Sequence, residues 1–166
     1  MHLVTSQSEE GALLVENPYN REFPGRICFM DSSVEERTVT GDRKEFFGFG
    51  MMSSPDALKY KKLSGTLGGG LDPCAAMQVN VRLKAGETRE VVFLLGMADQ
   101  RDKVRRLAET YKDIGNARES LAEVKQFWRD MLQTVRVNTP DPSMNIMLNG
   151  WLIYQAVSCR MWARTA

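Results

Sequence analysis

Asp42, Arg43 and Glu45, followed by Phe46 and Phe47, form the one acid–base cluster of this chain that opens a long loop. A carboxylate beside a guanidinium can pin a loop through a two-pronged ion pair, or offer the guanidinium to a hydroxyl or phosphate. The plain alternative is a surface ion pair. Other groups carry less chemistry. Glu9/Glu10 and Glu35/Glu36 are adjacent, so on a strand each pair faces opposite sides and is solvated. The glycine-dense stretch Gly65-Thr66-Leu67-Gly68-Gly69-Gly70 lacks the Lys-Ser/Thr end of a phosphate-binding loop. Asp72-Pro73 follows it where a helix would have to begin, so it reads as turns. Cys28, Cys74 and Cys159 show no CxxC spacing, and His2 is the single histidine. That is too few ligands for zinc, so no metal and no cofactor are expected. Trp128, Trp151 and Trp162 sit at helical spacing among aliphatic residues and read as core rather than as sugar-stacking platforms.

The bulk numbers narrow the classes. Of 166 residues, 43% are hydrophobic, enough for a core. The 22 Lys+Arg nearly balance 21 Asp+Glu, so no basic face recommends a nucleic-acid partner. No apolar run is long enough to span a bilayer, and no membrane contact is expected of this segment. The first residues have no signal-peptide pattern. Free thiols fit a reducing compartment, so the default is the cytoplasm, including the cytoplasmic part of an inner-membrane protein.

The elements around the cluster change character along the chain. Gly11–Glu16, Gly25–Met30 and Arg37–Thr40 are short apolar runs closed by turn residues. Met77–Leu83 alternates strictly, Lys84–Glu87 supplies a turn, and Val91–Leu95 returns as an apolar run, which predicts a β-hairpin. Between Phe46 and Pro73 lies a long glycine-rich loop of the kind that is often functional. After Met97 the period rises to helical. One helix carries Val104, Leu107, Ala108, Tyr111 and Ile114, with Asp99 as expected cap. A second carries Leu121, Val124, Phe127, Trp128 and Met131, with Asn116 as expected cap. Pro140-Asp141-Pro142 opens a third, Asp141 capping and Pro142 in the first turn. That helix is apolar nearly all round, from Met144 to Trp162, and nothing else in the chain can bury it. The expected architecture is β then α: the end of a β-sandwich over 1–97, a two-helix linker over 98–136, and one helix of a larger helical domain over 137–166.

Several strings go beyond pattern. Asn17-Pro18-Tyr19-Asn20 with Phe23, Gly25-Arg26 and Phe29 comes first. Thr40-Gly41-Asp42-Arg43-Lys44-Glu45-Phe46-Phe47-Gly48, Leu63-Ser64-Gly65 and Gly70-Leu71-Asp72-Pro73-Cys74-Ala75-Ala76-Met77-Gln78 follow. Leu148–Gln155 and Cys159–Arg164 close the series. Together they resemble the C-terminal part of cyclic β-1,2-glucan synthases, which is similar to cellobiose phosphorylase and its relatives in glycoside hydrolase family 94. One departure stands out: after Gly48 the family commonly has an arginine and a polar turn, whereas this chain has Phe49-Gly50-Met51-Met52.

The resemblance implies a β-supersandwich, a helical linker and an (α/α) six-hairpin barrel, of which this chain would hold only the first helix. It implies inverting phosphorolysis or glucosyl transfer on β-glucosides in the parent enzyme. There an aspartate acts as general acid and inorganic phosphate as co-substrate, attacking the anomeric carbon from the opposite face. Those groups are expected beyond Ala166, so no catalytic residue falls here. Asp42, Arg43 and Phe46 are the expected substrate-binding residues, Asp42 holding Arg43 at the acceptor side of the active site. The implied partners are a β-glucan oligosaccharide, the rest of the catalytic domain and a second copy in a homodimer. An autonomous carbohydrate-binding sandwich and a structural or dimerisation module stay open as alternatives.

Overall fold

The computed structural model describes residues 2–162, with the backbone alone at Trp162. The end of the third predicted helix, with Arg164, lies outside them. The chain divides into two units, Met1–Ala117 and Arg118–Ala166.

The first unit holds six strands: β1 Val4–Gln7, β2 Leu13–Glu16, β3 Ile27–Ser32, β4 Arg37–Asp42, β5 Pro73–Val79 and β6 Phe93–Ala98. Four make an antiparallel sheet in the order β1-β2-β3-β6, and β4 pairs with β5 in a second. The short helix α1 (Arg43–Phe47) and a 3-10 turn (Asp56–Lys59) occupy the long loop, and α2 (Arg101–Lys112) follows β6. One face of the larger sheet places Ala12, Leu14, Ile27, Phe29 and Ala98 against Val104 and Ala108 of α2. Burial of each large side chain there is worth about 1.5–3 kcal/mol. Gly96 faces Phe29 across the ladder, and a Cβ at Gly96 would lie 2.5 Å from the ring. The opposite face is covered in part: Thr5, Leu13 and Ser32 are buried, while Cys28, Phe93, Met97 and Leu95 (83% exposed) meet solvent.

The strands expected from the apolar runs and from the alternation at Met77–Leu83 are present, with β1 in addition, but the predicted hairpin is not. β5 pairs with β4 and β6 with β3, so the two runs belong to different sheets. The turn between them exists, Glu87 N–H donating to Lys84 O (3.0 Å), yet 80–92 forms no ladder. Neither is Val91–Leu95 covered on both faces, since Phe93 and Leu95 are open. Two caps also differ. Asp99 pairs with Lys103 (3.5 Å) instead of capping α2. The helix after it, α3 (Ile114–Gln133), starts earlier than expected, and Asp113 Oδ1 takes the Asn116 N–H (2.9 Å).

In the second unit, Asp141 accepts from Ser143 N and Met144 N and caps α4 (Pro142–Ile146), with Pro142 in the first turn as expected. The helix continues through π-type turns at Met147–Trp151 and Ser158–Trp162 around α5 (Leu152–Val157). An extended strap lies along it. Asn149 exchanges hydrogen bonds with the Val137 backbone, both at 2.8 Å, and Asn145 does so with Thr139 at 2.8 and 2.9 Å. Tyr154 packs against Trp128 and Trp151, ring centroids 5.3 and 5.9 Å apart. Trp151 is nonetheless half exposed, against the core reading, and no residue of α4 or α5 is buried.

A buried ion cluster ties the first unit together. Asp31 is fully buried and forms ion pairs with Arg37 at Oδ1 (2.8 Å) and with Lys112 at Oδ2 (3.1 Å), while Oδ1 also accepts the Ser32 N–H (2.8 Å). The Arg37 guanidinium also donates to Glu10 O, Gly11 O and Val34 O. Truncating one partner leaves a buried charge uncompensated, which costs about 3–5 kcal/mol. Asp31→Ala is therefore expected to lower stability in urea titration by about 3 kcal/mol. Lys112→Met, at a side chain 25% exposed, is expected to cost about 1 kcal/mol.

Candidate functional site

Three separated strings converge around β4. Thr40 is fully buried and bonds Glu45 Oε2. At Gly41 the chain passes so close to Thr5 that a Cβ would lie 2.2 Å from its Oγ1, and Gly41 N–H donates to Thr66 O (2.7 Å). Asp42 is the cap of α1, its Oδ1 accepting from Lys44 N (2.9 Å). Glu45 then reaches across to the Leu63–Gly65 string, taking Ser64 N–H on Oε1 (2.7 Å) and Ser64 Oγ on Oε2 (2.6 Å). Phe46 is half-buried, packing on Ala57, Leu63 and Ala76 beside Cys74, with Phe47 edge-on at 5.0 Å.

Asp42 does not hold Arg43. Its carboxylate is engaged by the helix N-terminus, and the arginine turns to the Pro73 end of β5 instead. Arg43 N–H donates to Asp72 O (2.9 Å), and Arg43 Nε stands 3.8 Å from Asp72 Oδ1, with the side chains 56% and 51% exposed. The missed partner, Asp72, lies in the Gly70–Gln78 string, but a separation of 29 positions offered no pattern to pair them. Arg43, Phe46 and Phe47 line an open cleft of about 540 Å³ together with Cys74, Met77 and Phe93. The cleft thus has apolar walls with one half-exposed guanidinium, a lining that can take a ligand with an apolar face and a hydroxyl edge.

Proton chemistry is poorly served here. Burial pushes the Glu45 carboxyl up, but hydrogen bonds from the Ser64 hydroxyl, the Thr40 hydroxyl and the Ser64 amide outweigh it and hold the group below its ordinary value. Burial, reinforced by the Asp42 charge, raises the Cys74 thiol, so it stays protonated at neutral pH. Among the described residues no group of three or more His, Cys, Asp or Glu is placed to hold a metal ion.

Residues 1–114 match the glycosyl hydrolase 94 supersandwich domain, and residues 127–166 match the glycosyl hydrolase 94 superfamily catalytic domain. The chain belongs to glycosyl hydrolase family 94. It is 37% identical over 98% of its length to the cyclic β-(1,2)-glucan synthase NdvB of Rhizobium meliloti (strain 1021), covering 6% of that protein. It is 25% identical over 89% of its length to the N,N'-diacetylchitobiose phosphorylase of Vibrio proteolyticus, and 27% over 87% to the cellobionic acid phosphorylase of Neurospora crassa. It spans 18% of each of those two. The strands-then-helices order agrees with a supersandwich followed by the start of a catalytic domain. No helix among the described residues is long and apolar enough to cross a membrane.

The Glu45 hydrogen bonds carry a pH signature. Because folding lowers its pKa, the stabilisation is complete above the unfolded value of about 4.3 and is lost as pH falls through the depressed folded value. Glu45→Gln is expected to cost about 1 kcal/mol at neutral pH, allowing for solvent screening at this half-buried site. In thermal melts across pH, the gap between variant and parent should begin to shrink below the ordinary glutamate value and close as pH falls through the depressed folded value. A gap of constant size from neutral to acid pH would show that ionisation of Glu45 contributes nothing.

Proposed function

We propose that this chain is a non-catalytic segment of a β-glucoside-active phosphorylase or cyclic β-1,2-glucan synthase that acts in the cytoplasm. In this reading 1–97 belongs to the sandwich, 98–136 is the linker and 137–166 opens the catalytic domain. The parent reaction protonates the glycosidic oxygen, breaks its bond to the anomeric carbon and forms a bond from that carbon to phosphate with inversion. The observation that carries the assignment is the likeness over nearly the whole chain to a glucan synthase and, more distantly, to phosphorylases. The acid–base character of the segment supports its non-catalytic part. A general acid needs a carboxyl held protonated near neutral pH, with its pKa raised. The described carboxyls with a resolved shift, Glu10, Glu45, Asp56 and Asp99, are all lowered.

Within that assignment, Arg43 and the Asp42–Phe46 turn border the path of the β-glucan acceptor. Asp42 sets the turn, Phe46 anchors it in the core, and Arg43 meets sugar hydroxyls by exchanging its long contact to Asp72. The rest of the catalytic domain and a second copy of the chain are the protein partners this reading implies.

Two measurements test the proposal. The purified chain should release no glucose 1-phosphate from β-1,2-glucan or cellobiose in the presence of phosphate; turnover that survives repurification would place catalytic groups within it. In the full-length parent, Arg43→Lys keeps the charge and loses the fork. KM for the glucan acceptor should rise about tenfold, or ~1.4 kcal/mol, with kcat and Tm little changed, because an exposed ion pair contributes under about 1 kcal/mol to stability. A lowered Tm with unchanged KM would leave Arg43 with a structural role alone.

A further inference from the structure

We propose that the loop between α1 and the 3-10 turn is a surface anchor for an anionic phospholipid bilayer. Phe49, Met51 and Met52 stand in solvent at its tip, and Leu58 next to it is also exposed. Three large apolar side chains exposed on one short loop, with Leu58 exposed in the turn that follows, are more than scattered surface residues.

The tip is held in shape. Asp56 Oδ2 accepts the Phe49 N–H (2.9 Å), and Asp56 Oδ1 pairs with Lys59 (2.7 Å). Gly50 N–H donates to Phe47 O (2.8 Å), and Ser54 N–H to Met51 O (2.9 Å). A Cβ at Gly50 would lie 2.4 Å from Ser54 O, so the fold of the tip requires glycine there. The apolar side chains are thus presented by a built turn, with little ordering left to lose on binding.

Charge names the partner. Lys44, Lys61 and Lys62 are exposed on the flanking segments beside the exposed Tyr60, while Lys59 is paired with Asp56. The nearby acids are engaged: Asp56 with Lys59 and the tip backbone, and Glu45 with Ser64 and Thr40. An apolar tip collared by lysines and a tyrosine matches the layering of a bilayer, acyl chains first, then a headgroup zone where phosphates and aromatic rims meet.

The test is co-sedimentation of the chain with vesicles of phosphatidylcholine alone and of phosphatidylcholine with phosphatidylglycerol. The variants are Phe49→Ser/Met52→Ser, Lys61→Gln/Lys62→Gln and, as control on the apolar helix, Ile146→Ser. Binding should be confined to the anionic vesicles and fall with added salt. Each loop variant should weaken it about tenfold, since a few interfacial groups supply it, while Ile146→Ser leaves it unchanged. The substituted loop residues are exposed, so their melting curves should overlay the parent's. Four results would each overturn the proposal. They are no binding, equal binding to both vesicles, loss with Ile146→Ser but not with the loop variants, and a loop-dependent change of oligomeric mass without vesicle binding.

Discussion

The buried carboxylate of Asp31 is the interaction on which the first unit depends. It sits on β3 on the α2 side of the sheet and draws in two cations from distant parts of the chain, Arg37 at the start of β4 and Lys112 at the end of α2. A charge taken out of water this completely is tolerable only when counter-charges and hydrogen bonds surround it. Arg37 is itself fixed by carbonyls from the turn between β1 and β2 and from Val34. Gly11 belongs to the same arrangement. Its φ of +89° and its missing side chain let the guanidinium approach, where a Cβ would lie 2.8 Å from an arginine nitrogen. Three connections therefore converge on one carboxylate, and a competing register of β3 would leave it without partners. Its gain is uniqueness of pairing at least as much as net stability.

The Thr40–Gly48 string works on the same logic at a shorter range. It has the residue types of an active-site loop, yet most of them face inward on backbone groups: Asp42 on a helix end, Glu45 on Ser64, Thr40 on Glu45, and Gly41 making room for Thr5. A carboxylate that already accepts three donors is a poor proton donor and a good staple. Arg43 and Lys44 point outward, and of the two Arg43 lines the cleft. Its 3.8 Å separation from Asp72, with both groups half exposed, leaves the guanidinium able to trade partners at small cost.

How much of this was legible follows from the range of each signal. Short apolar runs closed by turn residues located β2, β3, β4 and β6, and strict alternation located β5, because a strand must bury at least one face whatever it pairs with. They could not say that β5 and β6 sit in different sheets. Pairing is decided by which edge is free, and the adjacent runs Met77–Leu83 and Val91–Leu95 looked like a hairpin only because they are neighbours along the chain. The cap at Asp141 was readable because proline marks the first turn. The caps at Gln100 and Asp113 were not, because a better-looking residue stood close by in each case and spacing alone does not rank them. Buried polar pairs were the least visible class. Asp31, Arg37 and Lys112 look like ordinary charges in the sequence, and their burial is a product of the completed sheet.

Asn145 and Asn149 show the same limit from the other direction. They are polar residues in a helix apolar on nearly every side. Their function in the fold is to imitate a strand. Toward the strap backbone each amide donates one N–H and accepts one, and the spacing of four on the helix meets the spacing of two on the backbone of Val137 and Thr139. A rise of about 1.5 Å per helical residue and about 3.3 Å per extended residue makes those spans nearly equal, roughly 6 and 6.6 Å. Two side chains thereby satisfy backbone groups of a segment that has no sheet to join. With the strap so held, Met144 and Ile146 of α4 and Leu152 and Tyr154 of α5 all stay exposed, so the asparagine bonds rather than apolar burial tie the strap to the helix.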